Sequence, residues 1–345
     1  MTASDKDNTH RKVLVTGGAG YVGAVLCPKL IQAGYRVRVL DTCWYGTEVL
    51  DSIGDDPSFE LIVGDIRDAE SVRAAVEGCT DVIHLACISN DPSYDLDPTL
   101  GESVNFTACA PMVDAAKRAG VGRFIYASYS SVYGVKEELQ VTEDLPLEPL
   151  SDYFRFKAEC ETILLDYASD DFTVTIIRPA TVCGYSPRQR LDVVVNILTN
   201  FAVNRGVIKV FGGDQYRPNL HIEDMCRAYL QVLAEDSSKV QRQIFNVGGL
   251  NHTVREIAEI VKANVGGHLT VQVEPTDDNR SYRISSDLIA ETIGFRPEKS
   301  VGDAVQDLVA AFDQGFLPDS MTASKYFNIQ RMNEILSAAN ADGDA

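Results

Sequence analysis

Short apolar runs alternate with longer stretches of helical periodicity through the first half of the chain. Lys12-Val-Leu-Val-Thr16, Arg36-Val-Arg-Val-Leu40, Phe59-Glu-Leu-Ile-Val63, Asp81-Val-Ile-His-Leu85, Arg123-Phe-Ile-Tyr126 and Thr173-Val-Thr-Ile-Ile177 are rich in β-branched and aromatic residues and predict strands. Between them, residues 21–33, 69–77, 100–119 and 152–168 space their apolar positions three and four apart and predict helices. Near-continuous apolar strands need cover on both faces, so the pattern implies an α/β fold with a doubly wound parallel sheet between two layers of helices. After Arg178-Pro179 the rhythm loosens into loops rich in Pro, Gly and Arg, with a helix over 192–203 and strands at Ile208-Lys-Val-Phe211 and Gln243-Ile-Phe-Asn-Val247. The expected organisation is a doubly wound domain from 11–181 with 218–248, a smaller discontinuous C-terminal α/β cap from 182–217 with 249–330, and a tail at 331–345. The small, acidic last residues, 338–345, are expected to fray.

Composition narrows the function. A chain of 345 residues with 45% hydrophobic and 23% charged positions has length for two parts with real cores, which excludes a mainly disordered, collagen-like or coiled-coil protein. Lys plus Arg number 31 against 50 Asp plus Glu, a formal charge of −19. That field repels phosphate backbones and anionic lipid, so neither nucleic acid nor a membrane surface is the expected partner. An anionic substrate would need a local cluster of arginines to reverse the sign. The eight cysteines form no Cys-x-x-Cys pair and have no His pair at metal-ligand spacing, so no metal is expected. Residues 1–12 are polar and no later stretch approaches a membrane span, which points to reduced thiols and a cytoplasmic location.

Thr16-Gly-Gly-Ala-Gly-Tyr-Val-Gly23 follows the first strand and opens the first helix. Gly17, Gly20 and Gly23 allow a tight turn, close approach of backbone to a pyrophosphate and close helix-on-strand packing. The N–H groups of Tyr21 and Val22 lie at the positive end of the helix. Glycines that merely turn a βα loop would look similar in isolation. Asp41, eighteen residues after Gly23 at the end of the second strand, adds a carboxylate suited to a ribose 2′-hydroxyl and hostile to a 2′-phosphate. Together these predict a Rossmann-type site for NAD rather than NADP. Arg36 and Arg38 precede the acid on the same strand and are expected to face helices or solvent. Gly64-Asp65-Ile66 ends the third strand where adenine would lie, or is an ordinary turn with a capping Asp.

Tyr153 and Lys157 are four apart at the start of the helix after the fifth strand, so both rise on one face. An ammonium and a helix N-terminus both favour a phenolate, which would make Tyr153 a general base for an alcohol proton while hydride leaves to nicotinamide.

These segments, with Leu85-Ala86, Asn105, Ser131-Val-Tyr-Gly134, Arg178-Pro179 and His221-Ile-Glu-Asp224, resemble the extended short-chain dehydrogenase/reductase family, in particular its nucleotide-sugar epimerases and dehydratases, from about Lys12 to Phe316. The resemblance implies bound NAD, a sugar-nucleotide cap, and oxidation of a sugar hydroxyl, usually at C4, with Tyr153 as base and Lys157 on the nicotinamide ribose. It also implies that Leu85, Ala86, Asn105 and Pro179 line the cofactor and that Ser89, Asn90, Ser130 and Ser131 meet the substrate. Arg217 and Arg280 would hold the substrate diphosphate, for which guanidinium forks are suited. A homodimer through a four-helix interface of residues 100–119 and 152–168 is implied as well. The activity expected is that of an NAD-dependent nucleotide-sugar 4-epimerase. A C4 oxidase that releases the 4-keto sugar is the alternative, and a catalytically impaired NAD-binding scaffold a third.

The sequence departs from the family pattern in one place. The position five before Gly134, usually a Ser or Thr that bonds the reacting hydroxyl, is Tyr129. Tyr129 either contacts substrate or acts as an acid, with Ser128 or Ser130 supplying the hydroxyl, or is turned out as packing, or impairs catalysis. Ser130 and Ser131 stand where the family's 4,6-dehydratases carry an Asp-Glu pair, which disfavours dehydration. Cys87 and Cys183 at strand ends are either acid/base thiols or small buried hydrophobes. His84 is read as a satisfied core residue and His221 as structural, and Trp44 and Tyr45 as walls of the adenosine site or loop packing.

Overall fold

The computed structural model describes residues 8–276 and 281–343. Every strand expected in the first half forms. In chain order the elements are β1 (Lys12–Thr16), α1 (Gly23–Gln32), β2 (Arg36–Asp41), β3 (Phe59–Val63), α2 (Ala69–Val76), β4 (Asp81–His84), α3 (Asp91–Tyr94), α4 (Pro98–Glu102), α5 (Cys109–Arg118), β5 (Arg123–Ala127), α6 (Asp152–Tyr167) and β6 (Thr173–Pro179). The chain continues with β7 (Thr181–Cys183), α7 (Val194–Arg205), β8 (Val207–Phe211), β9 (Tyr216–His221), α8 (Ile222–Ala234), α9 (Ser237–Val240), β10 (Gln243–Val247), β11 (Asn251–Thr253) and α10 (Val254–Val265). It ends with β12 (Thr270–Glu274), α11 (Asp287–Ile293), α12 (Val301–Asp313) and α13 (Asn328–Gly343).

One seven-stranded sheet, ordered β10-β6-β5-β4-β1-β2-β3, is parallel throughout. Alternation along each strand divides the core in two. Val13, Val15, Val37 and Val39 enter the cluster on one face, while Leu14, Leu40, Val82 and Phe124 enter that on the other. The remaining strands form two small sheets. β9 lies between β7 and β11, and β8 pairs with β12. Helices α7, α10 and α12 pack together over Leu198, Ile257 and Val305.

Two expectations are corrected. The continuous helix expected over 100–119 is broken into α4, a π-turn at Ser103–Thr107 and α5. Pro111 cannot donate to the Thr107 carbonyl and its ring crowds it, so the ladder resets just before it, with the Ala108 N–H reaching the Ser103 carbonyl at 3.1 Å. The segment expected as a tail from residue 331 continues instead as part of α13. Met332 is buried there, and the Arg331 Nε donates to the Trp44 carbonyl at 2.6 Å. Among the described residues no helix is long and apolar enough to cross a membrane.

One buried ion pair ties the centre of the molecule together. Arg178 on β6 and Glu161 on α6 are 3% and 2% exposed, with Nη2 to Oε2 at 2.6 Å and Nε to Oε1 at 3.0 Å. The Ser128 hydroxyl donates to the same carboxylate. Arg178 Nη1 donates to the Tyr133 hydroxyl at 2.7 Å, which donates in turn to Asn246 on β10 at 2.9 Å. Removing one partner strands the other charge, so Glu161→Ala is expected to cost about 3–5 kcal/mol in denaturant unfolding. A loss below about 1 kcal/mol would show that water reaches the pair.

Candidate functional site

The C-terminal ends of the sheet strands open into a cleft of about 670 Å³. Its floor is the glycine loop. Gly17 has φ +73°, and a Cβ there would stand 2.7 Å from the Ala86 backbone nitrogen; a Cβ on Gly23 would stand 2.5 Å from the Gly18 Cα. The missing side chains let the loop pack backbone to backbone against Leu85-Ala86 and against its own turn, and Gly20, Tyr21, Val22 and Gly23 present the start of α1 to the cleft. Asp41 closes β2 beside them. Its Oδ2 accepts from the Ala19 N–H at 2.9 Å and its Oδ1 from the Cys43 N–H at 2.8 Å, which leaves lone pairs on both oxygens. Burial pushes this carboxyl above its ordinary pKa.

Several residues expected to meet the cofactor have other partners as well. The Tyr21 hydroxyl donates to the Gly184 carbonyl at 2.7 Å and accepts from Asn196 at 3.0 Å, pinning the glycine loop to the segment after β7. Asp65 lines the cleft with Ile66, but its carboxylate is engaged by Arg67 at 2.6 Å. Asn105 does not line the cleft. From the π-turn its side chain accepts from the Ile88 N–H at 2.8 Å and donates to the Ile88 carbonyl at 3.0 Å, so it shapes the loop that carries Cys87, Ser89 and Asn90. Arg38 donates to the carbonyls of Ala74, Ala75 and Glu77 at the end of α2, and Arg36 is exposed.

Ser151 caps α6 and sets Tyr153 and Lys157 on its first turns, both lining the cleft. Lys157 Nζ donates to the Ala127 carbonyl at 2.9 Å and stands 4.9 Å from the Tyr126 ring centroid. The expected lowering of the Tyr153 phenol is not what this geometry gives. Burial raises its pKa well above 10, reinforced by Cys87, Tyr129 and Asp91, and the opposing charge is Arg190.

Tyr129 faces the cleft and is not turned out. Its ring stacks on Phe154 with centroids 5.7 Å apart, and its hydroxyl is 2.8 Å from Thr181 Oγ1. Neither Ser128 nor Ser130 replaces the missing hydroxyl. Ser128 is bonded to Glu161. Ser130 is fully buried and does not line the cleft, a correction to its expected catalytic place, because its Oγ pairs with the Tyr282 hydroxyl at 3.1 Å. Ser131 does line the cleft and meets the same hydroxyl at 2.7 Å. Pro179, Ser89, Asn90 and Arg217 also line it, whereas Arg280 lies outside the described residues. Cys183 is wholly buried, its thiol pushed up to about 12 by burial, and Cys87 lines the cleft. His84 bonds Thr16 at 2.6 Å, and His221 caps α8 by accepting from the Glu223 N–H at 3.1 Å. No group of three or more His, Cys, Asp or Glu among the described residues could hold a metal ion.

The sequence reading missed Arg188, Arg190, Asp192 and Asn328, all in the cleft wall. Arg190 pairs with Asp192 at 2.9 Å and approaches Ser89 at 3.5 Å, and Asn328 Nδ2 reaches the Ser89 hydroxyl at 2.9 Å. The signal available was the alternation of arginines in Ser186-Pro-Arg-Gln-Arg190, which begins two residues after the glycine that ends the Val-Cys-Gly184 segment.

Comparison with known proteins agrees with this geometry. Residues 13–248 match the model of the NAD dependent epimerase/dehydratase family. A UDP-glucose 4-epimerase of Mycolicibacterium smegmatis is 30% identical over 313 residues, covering 87% of this chain and 98% of the relative. The crystal structure of DesIV, a dTDP-glucose 4,6-dehydratase from Streptomyces venezuelae with NAD bound, superposes with a TM-score of 0.79 at 26% identity, covering 88% of this chain and 97% of its own. A UDP-glucuronic acid 4-epimerase from Bacillus cereus, in complex with UDP-glucuronic acid and NAD, gives 0.79 at 25% identity, covering 88% and 99%. The cofactor is NAD, and the residues present fit it: a glycine loop packed tightly enough to carry the chain straight into a helix, that helix start for the diphosphate, and a carboxylate with free lone pairs for the ribose.

Gly17→Ala is expected to abolish NAD retention while leaving the fold, read as NAD per chain after gel filtration beside the far-ultraviolet spectrum; undiminished NAD would remove the cradle. His84 gives a pH effect of defined sign. Burial lowers its pKa from 6.5 to about 3, so its contribution to stability is full above pH 6.5 and is lost as pH falls towards 3. Between pH 7 and 5 the denaturation midpoint of the wild type should therefore fall relative to that of His84→Asn, with a slope of at most about 1.4 kcal/mol per pH unit. A pH-independent difference would show that the ring is already protonated or exposed.

Proposed function

The chain belongs to the NAD-dependent epimerase/dehydratase family, and from that premise we propose that it is a nucleotide-sugar 4-epimerase working through a transient 4-keto sugar. The observation that carries the reading is Tyr153 at the base of the cleft, one helical turn from Lys157 and beside the Tyr129–Thr181 hydroxyl pair.

Bound NAD supplies an acceptor for the hydride at C4 and a donor for its return. Once its phenol is ionised, which burial opposes and the cationic Arg190 favours, Tyr153 takes the proton of the C4 hydroxyl as the C–H bond breaks, leaving a ketone, and gives it back when hydride returns to the opposite face. The Tyr129–Thr181 pair lines the same cleft as Tyr153 and is assigned as hydroxyl partner to the reacting oxygen, since it has the acceptor and donor capacity that a Ser or Thr would offer. Lys157, fixed by the Ala127 carbonyl, keeps a positive charge on that side of the cleft. Arg217, with Arg280, is assigned to the substrate diphosphate. Dehydration is disfavoured because the two serines at the positions of the dehydratases' acid and base are bonded to Tyr282 and offer no carboxylate.

One observation favours a second reading, a C4 oxidase that releases the ketone. The Tyr129 ring, stacked on Phe154 inside the cleft, takes room in which the keto sugar would have to turn. Incubation with UDP-, dTDP-, GDP- and CDP-sugars, followed by absorbance of reduced nicotinamide and NMR of the products, separates the two. UDP-glucose and UDP-glucuronic acid come first because the relatives' names carry them. Inversion at C4 without net NADH is the expected result. Accumulating NADH with a 4-keto sugar would replace the epimerase by the oxidase, and no turnover with NAD retained would remove both.

Tyr153→Phe is expected to lower kcat roughly 10²- to 10⁴-fold with NAD content unchanged. Full activity in that variant would take Tyr153 out of the mechanism.

A further inference from the structure

We propose that Arg188 closes the cofactor site from the wall opposite the glycine loop, its guanidinium binding the diphosphate of NAD. The inference rests on NAD as the cofactor and not on which sugar reaction the enzyme performs.

Arg188 is 4% exposed and lines the cleft, yet its charge is poorly matched by the protein. Nη2 donates to Asn328 Oδ1 at 2.6 Å, and the Tyr45 ring lies 3.6 Å from the guanidinium carbon. Nε and Nη1 are buried without a hydrogen-bond partner. A buried guanidinium with two idle donors is costly unless something completes it. The neighbouring carboxylate does not. Asp192 is bonded to Arg190 through Oδ1 at 2.9 Å and to the Asn328 N–H through Oδ2 at 3.0 Å. Burial, with Arg190 as a like-charged neighbour, lowers the pKa of Arg188 to about 10, the mark of a cation short of counter-charge.

Its place along the cleft identifies the anion. Arg188 lies close enough to Asp41 to oppose the upward shift of that carboxyl, and both Arg188 and Arg190 act on Tyr21 at the start of α1. Arg190 opposes the upward shift of Tyr153. Contacts give the order: Ser186, two residues before Arg188, donates to the Tyr21 carbonyl at 2.8 Å at the start of α1, Arg188 stacks on Tyr45 just past Asp41, and Arg190 reaches Ser89, so the arginines run from the Asp41 end of the cleft towards its Tyr153 half. A dinucleotide with its adenosine ribose on Asp41 and its reacting ring near Tyr153 has its diphosphate between them. There it meets the first-turn N–H groups of the ten-residue α1 on one side and Arg188 on the other. The guanidinium is held ready for this, stacked on Tyr45 and steadied by an Asn328 that also bonds Ser89 at 2.9 Å.

The test uses the full-length protein with Arg188→Met, which keeps the volume and removes the charge, and Arg188→Lys, which keeps the charge. NAD release from the purified holoenzyme is timed after dilution into excess ADP. Binding of ADP and of adenosine is measured by calorimetry on the NAD-free fraction, and the melting temperature of that fraction is recorded. Arg188→Met is expected to weaken ADP and speed NAD release roughly 10- to 100-fold, as loss of a charge-assisted contact does, while adenosine, which lacks the diphosphate, stays within about twofold. The ligand-free melting temperature should hold or rise, because an unmatched buried charge has gone. Unchanged ADP affinity, an equal loss of ADP and adenosine, or a lower ligand-free melting temperature would each overturn the assignment. If Arg188→Met does not fold, Arg188→Lys decides, weakening ADP but not adenosine if the diphosphate is the partner and sparing both or harming both if it is not.

Discussion

Arg178 and Glu161 form the contact on which the reacting half of the cleft depends. Two charges withdrawn from water gain little from mutual attraction unless their remaining donors and acceptors are also satisfied. Here they are, by the Ser128 and Tyr133 hydroxyls and, through Tyr133, by Asn246. Satisfying them fixes four things at once: the end of β6, the inner face of α6, the turn after β5, and the neighbouring strand β10. Tyr153 and Lys157 ride on α6, and Tyr129 on that turn. The position of each relative to the others is thus set by a buried network behind them, of which only Ser128 also lines the cleft.

The same separation of layers resolves the electrostatics. A chain with a formal charge of −19 still lines its cleft with Lys157, Arg188, Arg190 and Arg217. Acidic side chains are present beside them, but Asp65 is engaged by Arg67 and Asp192 by Arg190. Net charge describes what a distant molecule feels through solvent. What a phosphate feels at contact distance is decided by which few cations are left without a carboxylate.

The sheet was legible in the sequence because strands covered on both faces must be largely apolar, and the central runs Val13-Leu-Val15, Val82-Ile83 and Phe124-Ile-Tyr126 are, with charge entering mainly towards the β2-β3 edge. The glycine loop and Asp41 were legible because only certain residues permit that backbone path. Legibility failed where the deciding contact is distant or local chemistry overrides the period. Apolar spacing across 100–119 said one helix, and Pro111 broke it. Ser128, Ser130 and Ser131 were indistinguishable as hydroxyls until Glu161 and Tyr282 claimed them. Lys157 and the helix start were expected to lower the Tyr153 phenol, but burial dominates it and the cation opposing that shift is Arg190, which the spacing did not reveal. Arg188 looked like one loop arginine among several because the residue that anchors it, Asn328, is 140 positions away.

The chain passes between the seven-stranded sheet and the small β7-β9-β11 sheet repeatedly, and each passage is short. β6 gives way to β7 across Ala180, β9 runs directly into α8, and β10 reaches β11 through residues 248–250. A protein joined at a single hinge can swing open like a jaw, with large angles absorbed by a few backbone torsions. Three stiff tethers across one seam behave more like a laced joint: rotation about any of them stretches the others, and the remaining freedom is a small sliding of one face past the other. Tethers this short favour a cleft whose width is set at folding over one that opens by hinge rotation.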